Sequence, residues 1–233
     1  MLNDKRVLAL IPARGGSKRL PRKNIRLLKG IPLIGWTITA AKQSQYIDEI
    51  FISTDDQEIL EYAKTLAVWA PELRPAELAT DSATSSDVIS YTLSKYGNDY
   101  DLVVLLQPTS PFRSALHIDE ALELLIVNQA EMVASVTHCE HSPLWANTLP
   151  ANHSLNGFIK TENLKRAQDL PNYYRLNGAI YVFDIEAFLQ NGSICYGEKS
   201  FAYLMNNEHS IDIDNEYDFW LAEAILRMNN IQD

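Results

Sequence analysis

Four short, almost continuous runs of apolar residues constrain the fold of this chain more than any other sequence feature. They occupy residues 7–11, 50–52, 102–106 and 132–136. Since polar and apolar residues do not alternate within them, each run is typical of a strand covered on both faces, as in a parallel sheet. Helical patterns separate the runs, so the sequence predicts an α/β protein with a Rossmann-like, mostly parallel sheet and helices on both faces.

The predicted helices are recognised by their ends and by their periodicity. Pro32 suits the first turn of a helix that ends near Gln43. Asp55-x-x-Glu58 resembles a capping box that opens a helix ending near Leu66. Apolar residues at helical spacing predict a further helix near the C-terminal end. That last helix covers about residues 217–228, and two others are predicted at about 86–95 and 115–128.

The regular pattern is lost between about residues 138 and 175, where proline, asparagine and histidine occur without periodicity. Long irregular segments in compact domains are usually functional, so we interpret this stretch as an insertion that closes over a site or joins a partner subunit. A mobile loop is the alternative. Because 233 residues suit one α/β domain, we predict a single domain over residues 1–233 that contains this insertion.

Charge is distributed very unevenly along the chain. Residues 1–29 contain nine basic side chains and one acidic side chain, giving +8, whereas the whole chain carries −10, so the other residues sum to −18. An acidic remainder argues against general nucleic-acid binding, which needs distributed positive charge. Neither a membrane-spanning apolar stretch nor a signal peptide is evident, so we expect no membrane partner and a cytoplasmic location.

Six of the basic residues lie within residues 14–26, directly after the first predicted strand. The same loop contains Gly15 and Gly16, which allow the backbone to turn tightly and present its N–H groups to an anion. The loop matches neither a Walker A motif nor G-x-G-x-x-G. A solvated basic loop is the alternative, but ligands of parallel sheets bind beyond the carboxyl ends of the strands, which favours phosphate binding here.

A pair of acidic residues near the C-terminal end forms a second candidate site. Asp212 and Asp214 are two positions apart, so in a strand both would project to one side while Ile211 and Ile213 enter the core. Two adjacent carboxylates suit Mg²⁺ that is carried with substrate phosphates. The alternative is that Asp214 caps the following helix and that Asp212 is an ordinary surface acid.

Three polar loops complete the candidate sites. Residues 74–81 could bind a base or form a rigid turn. Residues 107–113 follow a predicted strand, so their side chains should reach the same edge of the sheet, unless their prolines only stiffen a connection. Residues 175–178 offer a cation and an amide for a carboxylate or a sugar.

In this order along the chain, the motifs resemble the acylneuraminate cytidylyltransferases, also called CMP-sialic acid synthetases. The resemblance covers nearly the whole chain and is carried by Pro12-Ala-Arg-Gly-Gly-Ser-Lys-Arg-Leu-Pro-Arg-Lys-Asn24, Ser53-Thr-Asp55, Arg74-Pro-Ala-Glu-Leu-Ala79, Gln107-Pro-Thr-Ser-Pro111, Asn177-Gly-Ala-Ile-Tyr181 and Ile211-Asp-Ile-Asp214. It implies a nucleotide-diphospho-sugar transferase fold and transfer of CMP from CTP to the anomeric hydroxyl of a nine-carbon α-keto acid sugar, releasing pyrophosphate. It also implies Mg²⁺ and a homodimer in which the insertion reaches the partner's sugar pocket.

The resemblance also implies roles for individual residues. Arg14 and Lys23 would hold the CTP phosphates and Asp212 and Asp214 would hold Mg²⁺, so these four would be catalytic. The other nucleotide-binding residues would be Asn24, Arg74, Ala83 and Ser85. The sugar site would be lined by Gln107, Arg175, Asn177 and Tyr181.

Two departures from the family pattern leave the sugar open. Ala167 precedes Gln168-Asp-Leu-Pro171 where some sialic acid synthetases have an arginine, and Ile194-Cys195 stands where some members place an aromatic pair against the N-acyl group. N-acylneuraminate is the first expectation; legionaminic and pseudaminic acid are alternatives, and Kdo is a more distant one. A non-catalytic nucleotide-binding protein is the alternative from another class, while the missing G-x-G-x-x-G disfavours a dehydrogenase.

Overall fold

The secondary structure alternates between strands and helices, as the apolar runs predict. The computed structural model describes residues 2–80 and 82–229. Its strands are β1 Val7–Pro12, β2 Leu27–Leu28, β3 Ile31–Pro32, β4 Glu49–Ser53, β5 Leu102–Leu106, β6 Met132–His138, β7 Tyr174–Asp184 and β8 Ser200–Leu204. Its helices are α1 Leu33–Gln43, α2 Gln57–Thr65, α3 Ser85–Tyr96, α4 Ala115–Val127, α5 Ile185–Asn191 and α6 Glu216–Asn229.

Six strands form one sheet in the order β4-β1-β5-β7-β6-β8, and β2 pairs with β3 as a separate two-stranded hairpin. β7 is antiparallel to both of its neighbours, whereas the pairs β1–β4, β1–β5 and β6–β8 are parallel. The predicted mostly parallel α/β sheet is therefore confirmed. Because β7 runs the opposite way, its first residues lie at the edge where β1, β4 and β5 end.

Alternate side chains of the central strands enter two separate cores, one on each face of the sheet. Leu8 and Leu10 of β1 pack with α3 and α5, whereas Val7, Ala9 and Ile11 pack with α1, α2 and α4. β5 is buried at all of its positions. Strands covered on both faces are the expected result of apolar runs without alternation.

The second helix begins one residue later than the capping-box prediction requires. Asp56, not Asp55, is the N-cap of α2, because its side chain accepts hydrogen bonds from the backbone N–H groups of Glu58 and Ile59. Asp55 instead accepts a hydrogen bond from Gly15 N, 3.0 Å away. At α1, Pro32 is likewise the residue before the helix rather than its first residue.

The paired aspartates do not lie in a strand, so that prediction is wrong. Residues 211–214 have no strand assignment, and Ile213 N donates its hydrogen bond to Thr109 O in a loop. The alternation still holds, because Ile213 is fully buried whereas Asp212 is exposed. Helix capping by Asp214 is also excluded, since Asn215 Oδ1 accepts from the first N–H groups of α6.

The stretch predicted as an insertion, about residues 138–175, lies between β6 and β7. Because His138 ends β6 and Tyr174 begins β7, the irregular segment is shorter, residues 139–173. Its residues form short 3₁₀ turns at Pro143–Trp145, Thr161–Asn163 and Ala167–Asp169 and are largely exposed. Within the described part of the chain, no helix is both long enough and apolar enough to cross a membrane.

Candidate active site

The loops that follow β1 and β5, together with the segment between α2 and α3, line a polar cleft of about 520 Å³. Most of the predicted site residues line it: Arg14, Lys23, Asn24, Arg74, Ala83, Ser85, Gln107 and Asp214. Four predicted residues are not among its lining: Arg175, Asn177, Tyr181 and Asp212. The structure thus brings the nucleotide-binding candidates together in one cleft. Of the sugar-binding candidates, Gln107 lines this cleft, whereas Arg175, Asn177 and Tyr181 lie outside it.

Gly15 brings the basic loop into close contact with the loop that follows β4. A Cβ atom on Gly15 would lie 2.5 Å from Asp56 Oδ2 and 2.9 Å from Asp56 Cβ, which is closer than atoms can pack. A Cβ on Gly16 would meet nothing within 4 Å. The two glycines therefore have different roles: Gly15 permits the contact between loops, whereas Gly16 is spatially unconstrained.

We expect Gly15→Ala to destabilise the protein by about 1–3 kcal/mol, the usual cost of overpacking at a close contact. Gly16→Ala is the matched control and should change the free energy of unfolding by about 0.5 kcal/mol or less, as for an ordinary surface change. Urea unfolding of both variants measures the difference. Equal effects of the two substitutions would contradict the close-contact explanation.

Asp214 is held by two cations of the basic loop. Lys23 Nζ donates to Asp214 Oδ1 at 3.0 Å and to Ile213 O at 2.8 Å, and Arg19 Nη2 lies 2.8 Å from Asp214 Oδ2. The Lys23 side chain is only 11% exposed, whereas that of Arg19 is 70% exposed. The buried lysine is therefore the better ordered of the two contacts, and Asp214 joins the start of α6 to the basic loop.

Asn24 contributes to the shape of the loop rather than to its charge. Its side chain is buried, and Nδ2 donates a hydrogen bond of 2.9 Å to the backbone carbonyl of Arg14. Lys23 and Asn24 lie in the 3₁₀ turn Lys23–Ile25. This turn therefore fixes both the lysine and the backbone that carries Arg14.

Arg74 is a buried cation at the wall of the cleft. Its residue is only 7% exposed, Nη2 lies 3.8 Å from Asp55 Oδ1, and Nε has no hydrogen-bond partner among the residues that the structure describes. Burial lowers the pKa of Arg74; the charge of Asp55 opposes this change and that of Arg14 adds to it. A buried donor without a partner costs free energy, which a ligand acceptor would recover.

Asp212 lies beside the cleft, next to Asp214. Although its surface is exposed, the surrounding protein desolvates the carboxylate and raises its pKa; the Asp214 charge adds to the increase, while Thr109 and Lys23 oppose it. Among the described residues, no group of three or more His, Cys, Asp or Glu side chains is arranged to hold a metal. The protein oxygen ligands available near the basic loop are therefore the two carboxylates of Asp212 and Asp214. Two carboxylates fit Mg²⁺ when substrate phosphates complete its coordination shell.

The remaining sugar candidates lie on β7. Arg175 forms a two-point ion pair with Glu140 in the insertion, with Nη2 2.5 Å from Oε1 and Nε 3.2 Å from Oε2. Burial raises the pKa of Tyr181 to about 12, and the nearby Tyr196 and Asp212 contribute to the increase. Tyr181 therefore stays protonated at neutral pH and can donate a hydrogen bond.

Asn177 is buried and its amide is fully used inside the protein. Oδ1 accepts from Ser135 Oγ at 2.5 Å and from Ala179 N at 3.1 Å, and Nδ2 donates to Ser210 Oγ at 2.9 Å and to Met205 Sδ at 3.4 Å. Direct contact between this amide and a sugar stays a prediction that the geometry does not support.

Sequence reasoning missed other residues of the cleft. Thr84 caps α3 in a reciprocal capping box with Asp87. Thr84 and Ser85 line the cleft, so the N-terminal end of this helix lies there and favours anions. The spacing Thr84-x-x-Asp87 was the available signal. Arg113, in contrast, does not reach the edge as predicted for residues 107–113, because it is buried within the protein and only 2% exposed.

The mostly parallel sheet, the cationic loop after β1 and the acidic residue beside that loop are the arrangement of an α/β nucleotidyltransferase. The cytidylyltransferase model matches residues 8–228, and the chain belongs to that family. The predicted membership and enzyme class are confirmed.

Two relatives and one solved structure show how far the similarity extends. The chain is 39% identical to CMP-N,N'-diacetyllegionaminic acid synthase of Legionella pneumophila, over 96% of this chain and 97% of that protein. It is 37% identical to N-acylneuraminate cytidylyltransferase of Escherichia coli O18:K1:H7 over 97% of its length, but spans about half of that relative, 54%. The structure of CMP:2-keto-3-deoxy-manno-octonic acid synthetase complexed with CTP has a similar fold, with a TM-score of 0.74, 15% identity and coverage of 96% of this chain and 99% of that one.

Proposed function

We propose that this protein transfers CMP from CTP to the anomeric hydroxyl of a nonulosonic acid. In this reaction the anomeric oxygen bonds to the α-phosphorus of CTP, the bond from that phosphorus to pyrophosphate breaks, and the hydroxyl proton is released. The observation that carries the proposal is the cleft in which the basic loop, Arg74 and Asp214 face one another, in a chain of the cytidylyltransferase family.

Arg14 and Lys23 bind the triphosphate in this proposal. Phosphoryl transfer depends mainly on positioning and on neutralisation of phosphate charge, and both cations lie in one loop whose backbone is fixed by Asn24. The N-terminal end of α3 also lines this cleft and adds a favourable dipole.

Arg74, with Ala83 and Ser85, faces cytosine and ribose. The unpartnered Nε of Arg74 supports this role, because a carbonyl or hydroxyl oxygen of the nucleoside would supply the missing acceptor. Asn24 acts through the loop backbone, since its amide already donates to Arg14 O.

We further propose that Asp212 and Asp214 hold Mg²⁺. The cation would supply neutralisation of the phosphate charge when bound. The raised pKa of Asp212, caused by burial and by the charge of Asp214, supports a cation near the two side chains. Lys23 and Arg19 also form ion pairs with Asp214.

The sugar acid lies next to Gln107, Tyr181 and Arg175 in this proposal. N-acylneuraminate is the first candidate, with legionaminic and pseudaminic acid as alternatives, since identities of 39% and 37% to two such enzymes do not separate them. Ile194 packs against the core around Tyr181, so its neighbourhood is where a different N-acyl substituent would be accommodated.

Pyrophosphate release with CTP over a panel of these sugar acids tests the function. ATP, GTP and UTP serve as nucleotide controls. Turnover restricted to CTP is expected. Binding of CTP without turnover of any sugar acid would instead support a non-catalytic nucleotide-binding protein.

We propose a homodimer that forms through the insertion, which exposes large apolar side chains. Leu155 and Leu164 are 67% and 66% exposed. We expect the double substitution Leu155→Asp and Leu164→Asp to shift the protein to a monomer in sedimentation velocity experiments. Leu116→Asp on α4, where Leu116 is 62% exposed, is the matched control and should leave the dimer intact. A wild-type protein that sediments as a monomer contradicts the proposal.

A further inference from the structure

Arg113 is a buried arginine that the proposed reaction does not use. It is 2% exposed, and no carboxylate of the described residues forms an ion pair with it. Burial lowers the pKa of Arg113 to about 9, so the guanidinium is still charged at neutral pH. An arginine that is desolvated without a carboxylate partner is costly, and such groups persist where their hydrogen bonds fix a particular arrangement.

The guanidinium joins three parts of the fold through hydrogen bonds. Nη1 donates to Gln107 O at 3.2 Å and to Ala179 O at 2.9 Å, and Nη2 donates to Thr37 Oγ1 at 2.7 Å. Gln107 follows β5, Ala179 is in β7 and Thr37 is in α1. One side chain therefore connects the end of a parallel strand to the antiparallel strand beside it.

The two carbonyls belong to the segments that carry the proposed sugar-binding residues, Gln107 after β5 and the candidates on β7. Gly178, directly before Ala179, has a φ of +75°, and a Cβ there would be 3.3 Å from Gln107 Oε1. The side chain of Gln107 thus lies against the backbone of β7. Any increase in the distance between the two carbonyls would displace Gln107 from this position.

We propose that Arg113 is a positioning residue for the acceptor sugar: it holds the backbones of Gln107 and Ala179 at a fixed separation, so that Gln107 faces the sugar acid. The inference rests on the proposed function for the identity of the substrate. It does not require Arg113 to contact substrate.

Substitutions at both ends of the hydrogen-bond network test the inference. Arg113→Met removes the guanidinium, and Arg113→Lys keeps the charge but not the planar donors. Because Arg113→Met could fail to fold, Thr37→Val removes a single hydroxyl of the network, which accepts from Arg113 Nη2 at 2.7 Å and donates to Gln107 O at 3.5 Å. Thr92→Val is the matched control, since Thr92 is equally buried in a helix and its hydroxyl donates only to Val88 O of the same helix.

Two measurements distinguish positioning from a merely structural role. Thr37→Val and Arg113→Met should raise KM for the sugar acid about tenfold or more and KM for CTP much less, because in this proposal Gln107 is placed against the sugar acid. A misplacement of about 1 Å can lower a reaction rate about 100-fold, which indicates the scale of such effects. Arg113→Lys should recover part of this loss. Amide hydrogen exchange without substrate should be faster at residues 106–111 and 176–181 in Thr37→Val, but unchanged there in Thr92→Val.

Unchanged exchange at these segments, or an unchanged KM for the sugar acid, overturns the inference. The same holds if Thr92→Val behaves like Thr37→Val. Failure of the wild-type enzyme to use any sugar acid overturns the proposed function instead. The exchange experiment then still decides whether Arg113 and Thr37 fix the two segments.

Discussion

Lys23→Met is expected to lower kcat/KM for CTP about 100- to 1,000-fold, the usual loss when one preorganised group that stabilises developing charge is removed. The reason is the position of Lys23: its ammonium group is mostly shielded from water and is held at Ile213 O and Asp214. A fixed, partly desolvated charge stabilises phosphate groups more than a mobile surface charge. Pyrophosphate release under steady-state conditions measures the effect.

Arg22→Met is the control for overall charge. Arg22 belongs to the same basic segment, but its guanidinium pairs with Glu58 and it is not part of the lining of the cleft. Removing this exposed pair should change kcat/KM by less than about threefold, since exposed ion pairs contribute little. A loss as large as that of Lys23→Met would mean that total charge, not the placement of Lys23, is important.

Asp214→Asn is expected to lower kcat about 1,000-fold or more, because the proposed metal contributes several kcal/mol of charge stabilisation. The substitution preserves shape and removes only the negative charge. Glu216→Gln is the matched control: this acid lies two residues further on and also pairs with a base of the segment 14–26, Arg26, but it is not part of the lining of the cleft. It should retain most of the activity.

Because Asp214 contacts Lys23, the expected decrease in kcat of Asp214→Asn could also arise from a displaced Lys23. If Asp214 acts only by orienting Lys23, the double variant with Lys23→Met and Asp214→Asn will be no less active than Lys23→Met alone. If Asp214 has its own role at the metal, the double variant will lose further activity. Thermal unfolding of all variants separates these effects from loss of folded protein.

The four apolar runs predict β1, β4, β5 and β6 because burial on both faces leaves a direct signal in the sequence. Leu8 and Leu10 enter one core and Val7, Ala9 and Ile11 the other, so each position of β1 must be apolar. β8 was not predicted. It pairs only with β6 at the edge of the sheet, and its exposed Phe201 and Leu204 lack the pattern of a buried strand.

The candidate site was predictable where chemistry follows directly from a strand end. Arg14 and Gln107 could be placed in one cleft because both follow parallel strands. The direction in which a side chain points inside a loop was not predictable. Arg113 and Asn177 belong to motifs that resemble binding loops, yet tertiary hydrogen bonds direct both inward.

Adjacent identical residues were a second limit on what could be predicted from the sequence. Asp55 and Asp56 are equally suited to cap a helix, and only the close approach of Gly15 shows that one binds the basic loop while the other caps α2. Such a choice depends on residues 40 positions away. Local patterns contain no information about it.

The reversed direction of β7 has a consequence for how such a protein can evolve. Its first residues lie at the sheet edge where β1 and β5 end. The segment that enters β7, residues 139–173, is therefore next to the proposed sugar-binding residues of β7, whereas the nucleotide-binding candidates lie in the loops after β1 and β5 and in the segment between α2 and α3. Residues 139–173 belong to no strand, so changes within them need not alter the pairing of the sheet. Recognition of one substrate can therefore diversify independently, while the machinery for the other is inherited intact.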